Sequence, residues 1–163
     1  RRPFPLVLDQ SPSAEIVSRL ESLSTRQLFS RALAPEAAMA GLWLYFGAFD
    51  RSHSIAQDIP TPEGSYWHGI LHRHEPDAGN AGYWFRRVGQ HPIFPALRDT
   101  AQSIVESCKA DFSAGERWDP FAFIEFYERA RRSSAESAAR DAVRAIALAE
   151  WQLLFDYCAR PIH

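Results

Sequence analysis

APEAAMAGLWLYFGAFDRSHSIAQDI, residues 34–59, is the stretch whose reading decides the fold. Pro35 suits the first turn of a helix, where its missing N–H is not needed and its fixed φ is already helical. From Ala37 to Phe49 almost every side chain is apolar. A helix with no polar face is stable only when other elements surround it, because any exposed side would leave apolar surface in water. The pattern predicts one continuous helix here, buried at the centre of a bundle.

The flanking sequence supplies the surrounding helices. Ser13 opens a helix with Ile16, Val17, Leu20 and Leu23 at helical spacing, and a short one starts at Ser24 or Thr25. Pro60, Pro62 and Gly64 interrupt the chain, and Ser65 is a candidate cap for the next helix. Pro76 ends that helix, since proline disfavours helical geometry at the residue before it. A further helix is expected from Asn80 to Val88 with Gly89 as its C-terminal cap. Another starts at Pro92 with Leu97, Ala101, Ile104, Val105 and Cys108 as its stripe. Asp119 and Pro120 open a helix over DPFAFIEFYERARR, and a long one is expected from about Ser134 to Cys158. No strand-like alternation of useful length is visible. The expected fold is an all-α, single-domain bundle of about seven helices with short connections. It occupies residues 13–163, behind an extended, proline-rich N-terminal arm at residues 1–12.

Composition narrows the function classes. The chain has 163 residues, long enough for one well-formed core, and 46% of them are hydrophobic. A formal net charge of −2 excludes the strongly basic surface of a general nucleic-acid binder. There is no run of about 18 apolar residues, so no membrane span is expected. The N-terminal RRPFPLVLDQ lacks the apolar core and cleavage site of a signal peptide, which makes cytoplasmic the expected location. Cys108 and Cys158 stand alone on apolar stretches and read as small core residues rather than as a disulfide framework.

Chemistry concentrates in SYWHGILHRHEPDAGNAGYWFRRVGQHP, residues 65–92. This block holds four of the six histidines, two acids, three arginines and five aromatics. On a helix, His68 and His72 lie one turn apart, and Glu75 falls near the same face. Two imidazoles and a carboxylate form a three-ligand set for a divalent metal such as zinc, with a position left open for water. His53 and His91 are candidates to complete or tune the set. The spacing is not that of the HExxH proteases, because Gly69 stands where their catalytic glutamate would be. His68 and His72, with Asp77 orienting an imidazole, are also candidates for general acid–base catalysis near neutral pH.

The same block offers an anion-binding surface. Arg73 and Arg87 supply planar guanidinium forks, and Asn80, Tyr83, Trp84 and Arg87 share one helical face. With His91 they are the candidate contacts of a small anionic ligand. The structural alternative pairs Arg73 and Arg87 with Glu75, Asp77 or Asp58 as internal struts. Trp67, Trp84 and Phe85 read mainly as core anchors, and Gly69 as a point where another helix approaches closely.

The stretch also resembles the signature of a family of small uncharacterised bacterial and fungal proteins, W-H-G-I-x-H-R-x-E-x-D-x-x-N-x-x-Y-W-x-x-R-x-G-x-H-P. The resemblance covers roughly residues 43–95 and implies a shared site without supplying a reaction. It points to His68, His72, Arg73, Glu75, Asp77, Asn80, Tyr83, Trp84, Arg87 and His91.

Three functional readings follow. The first is a divalent-metal or acid–base enzyme acting on a small anionic substrate. The second is a non-catalytic binding module for a small acidic metabolite. The third makes the block a polar structural core, with function exerted through protein partners.

Overall fold

The helix expected over residues 34–59 is broken in the middle. At Gly47 φ is +80°, a left-handed conformation that glycine adopts without a steric penalty. Gly47 N–H donates to Leu44 O (2.9 Å) and Ala48 N–H to Trp43 O (2.9 Å), the paired bonds of a Schellman cap. The chain then turns into a second helix, and that turn re-aims His53. A uniformly apolar run carries no periodic signal of where a helix stops, so hydrophobicity alone missed the break.

The computed structural model describes residues 11–162, and nine helices run through them: α1 Ala14–Glu21, α2 Thr25–Leu28, α3 Pro35–Tyr45, α4 Phe49–Gln57, α5 Pro62–His74, α6 Ala78–Val88, α7 Phe94–Cys108, α8 Pro120–Arg132 and α9 Ala138–Ala159. The all-α bundle is as expected, with nine helices in place of about seven. Among the described residues the only extended pairing is an isolated bridge between Ala32 and Pro161. Most of the N-terminal arm expected at residues 1–12 lies outside the described residues.

Three starts differ from expectation. The helix expected to be capped by Ser65 begins a turn earlier, at Pro62, with Thr61 at the cap position and Ser65 buried inside it. Proline at the first helical position outcompetes the serine signal. The helix expected at Pro92 starts at Phe94, and the last helix is capped by Ser137 rather than starting near Ser134. Ser13, Ser24 and Asp119 cap their helices as read.

α5 packs against α3, α4 and α6, while α9 packs against α3, α7 and α8. Tyr66, Trp67, Phe85, Leu97, Phe123, Phe126, Tyr127, Ile146 and Leu154 are fully buried between them. α5 and α6 approach closely at Gly69, where a Cβ would lie 2.9 Å from the Phe85 ring. That contact draws Trp84, the neighbour of Phe85 on α6, toward the histidine face of α5.

Candidate metal centre

One turn apart on α5, His68 and His72 lie with their rings nearly parallel, 12° between planes and 5.0 Å between centroids. From α4, His53 meets both edge-on, at 4.4 Å from His68 and 5.6 Å from His72. The Nε2 atoms of His53 and His68 are 2.9 Å apart. One ring nitrogen from each of the three residues lies within 4.8 Å of the other two. A tetrahedral metal with nitrogen ligands at 2.0–2.1 Å places those nitrogens about 3.3 Å apart, so the observed spacings bracket the required one.

Aromatic rings wall the cluster. Trp84 lies face to face with His68 at 3.9 Å and 16°, and Phe49 stacks on His53 at 6.0 Å. Burial, and next the neighbouring His53 and His72, push the His68 pKa down to about 4. His68 is therefore neutral near pH 7, the form that binds a metal. His68 and His72 sit in the second half of α5, whose C-terminal carbonyls favour positive charge. Two carboxylates stand beside the cluster: Glu75 Oε2 is 3.2 Å and Asp77 Oδ2 is 3.9 Å from His72 Nδ1.

The expected site residues divide into three groups. His68, His72 and Trp84 come together as read, and Asp77 stands next to His72. Glu75, expected as the third ligand, is the C-terminal cap of α5 and lies against His72 Nδ1, three residues back. The third nitrogen comes from His53. Tyr83 and Arg87 form an exposed shelf beyond Trp84, with the guanidinium 5.4 Å from the Trp84 ring and 5.9 Å from the Tyr83 ring. Asn80 is bound to Asp77, donating from its backbone (3.1 Å) and its side chain (2.7 Å).

Arg73 and His91 are corrections. Arg73 is fully buried and faces the opposite side of α5, where it pairs with Glu150 of α9. It is thus an internal strut, away from the histidine face, and its partner is none of the three acids named from the sequence. Tyr66 donates to the same carboxylate at 3.0 Å, and the guanidinium lies 4.6 Å from the Phe123 ring and 5.1 Å from the Tyr127 ring. Burial opposes the Arg73 charge, but Glu150 outweighs it and the pKa rises. Glu150 was missed; its one sequence signal is an acid inside the apolar run AIALAEWQLLF. His91 is buried against Tyr66 and Tyr157, away from the trio, with Glu63 Oε1 3.7 Å from its Nε2.

No family model matches this chain, and no curated protein or solved structure shows significant similarity to it. Among the described residues no helix is long and apolar enough to cross a membrane.

Proposed function

We propose that this protein is a metal-dependent enzyme in which His53, His68 and His72 hold a divalent transition metal, zinc by preference, and leave a position open for water or substrate. One observation carries the reading: three imidazoles from two helices present ring nitrogens within 4.8 Å of one another. A structural core has no need to converge three imidazoles in this way. Neutral imidazoles suit zinc, iron, copper and nickel, and a three-histidine set keeps the open position typical of catalytic zinc. The Tyr83–Trp84–Arg87 shelf supports a small anionic substrate, which Arg87 would grip through its carboxylate or phosphate. The resemblance of residues 65–92 to the signature family supports a shared site, since His68, His72, Glu75 and Asp77 are all signature positions.

The test is elemental analysis of protein purified without an affinity tag or chelator. Near-stoichiometric transition metal, lost in His53→Ala and in His68→Ala, is the expected result. A metal-free protein that cannot be loaded with zinc would sink the reading. In that case the His53–His68 contact and the Trp84 stack become packing devices joining α4, α5 and α6.

A further inference from the structure

Among the three proposed ligands, His72 alone has acids at its outer nitrogen. Its Nδ1 is buried and makes no aligned hydrogen bond, yet two carboxylates stand within ion-pair range. Their circumstances differ. Asp77 caps α6 and is already engaged by Asn80 from both the backbone and the side chain. Its own N–H donates to His72 O at 3.0 Å, so its backbone is fixed as well. Glu75 is held at its backbone, whose N–H reaches Leu71 O at 3.1 Å, and its half-exposed carboxylate is the nearer of the two to His72 Nδ1.

We infer that Glu75 is a positioning residue that presets His72 to bind metal through Nε2, an inference that rests on the metal-centre reading above. A neutral imidazole carries one proton and one lone pair, and the hydrogen bond at one nitrogen decides which nitrogen is left to ligate. A carboxylate at Nδ1 holds the proton there and leaves the Nε2 lone pair for the metal. The same carboxylate fixes the ring plane and makes the imidazole a stronger donor; removing such a partner costs about 10- to 100-fold in metal affinity. Glu75 follows His72 by three residues, so helical spacing sets it on the same face, and as the C-terminal cap of α5 it keeps its carboxylate beside His72 Nδ1.

The test uses the full chain, labelled at its histidine nitrogens, free of metal and then loaded with zinc alone. Long-range proton–nitrogen spectra read the tautomer, and competition with a chromogenic chelator reads the affinity. In the metal-free protein His72 is expected to carry its proton on Nδ1, and zinc is expected to move the Nε2 signal. Glu75→Ala shifts the metal-free proton toward Nε2 and weakens zinc by about 10- to 100-fold. Glu75→Gln, whose amide oxygen still accepts at Nδ1, restores the tautomer and recovers part of the affinity. Glu75 is exposed, so both variants are expected to fold, and their unfolding midpoints confirm this. Zinc binding by the wild type that is unchanged in Glu75→Ala, or zinc found on His72 Nδ1, overturns the inference and leaves the metal centre standing. Failure of the wild type to bind zinc overturns the metal centre itself.

Discussion

Arg73 of α5 and Glu150 of α9, 77 positions apart, form an ion pair with both side chains fully buried. Tyr66 and Arg73 together satisfy the carboxylate, and aromatic rings flank the guanidinium. Burying either charge alone would be very costly, so each residue makes the other tolerable.

Removing one partner is therefore expected to hurt more than removing both. Glu150→Ala should lower stability by about 3–5 kcal/mol, because it strands a buried guanidinium. Arg73→Met combined with Glu150→Leu should recover much of that loss. Chemical unfolding of the single and double variants provides the comparison; equal losses in all of them would contradict the pairing account.

Acid should weaken the fold through Glu63. His91, with its Nε2 3.7 Å from the Glu63 carboxylate, holds that carboxyl down at about 2, below the 4.5 of an ordinary glutamate. A carboxyl whose pKa is depressed in the folded state stabilises it above the unfolded pKa and loses that contribution as pH falls through the folded one. Stability should accordingly drop between about pH 4.5 and 2, and Glu63→Gln should flatten this limb in a series of urea melts.

Gly69→Ala sets two effects against each other. Alanine favours a helix over glycine by about 1 kcal/mol. Here its methyl would sit 2.9 Å from the buried Phe85 ring, and overpacking of this kind costs about 1–3 kcal/mol. The clash is expected to win, so the variant should melt lower. A higher melting temperature would mean that α6 can retreat without penalty.

Metal should appear in stability as well as in composition. A ligand that binds only the folded state at 100 times its Kd adds about 2.7 kcal/mol. Chelator treatment should thus lower the melting temperature and added zinc restore it. His53→Ala should abolish the response, and a persisting zinc shift in that variant would exclude His53 from the site.

Much of the fold was legible in the sequence, because caps and prolines act locally. Ser13, Ser24, Asp119 with Pro120, and Gly89 all mark ends where they were read. The break at Gly47 was not legible, since apolar residues flank it on both sides and the decisive signal is a backbone angle. The site was half legible. His68 and His72 share a helix, so their spacing alone juxtaposes them. His53 joins them through a turn and a second helix, which no period reveals. Arg73 misled because a guanidinium in a polar block reads as a ligand contact, while its true partner lies on the last helix.

The histidine cluster and the buried ion pair also differ in how much chain they span. His53 and His68 are only 15 positions apart, whereas Arg73 and Glu150 are separated by 77. Short-range contacts need little chain closure and form readily; long-range ones wait for the whole topology. If α9 detaches in a partial opening, Arg73 loses its partner, while His53 and His68 stay on a short tether. The grouping of the imidazoles thus belongs to a local segment and the cooperativity of folding to the full chain, so damage to the second need not erase the first.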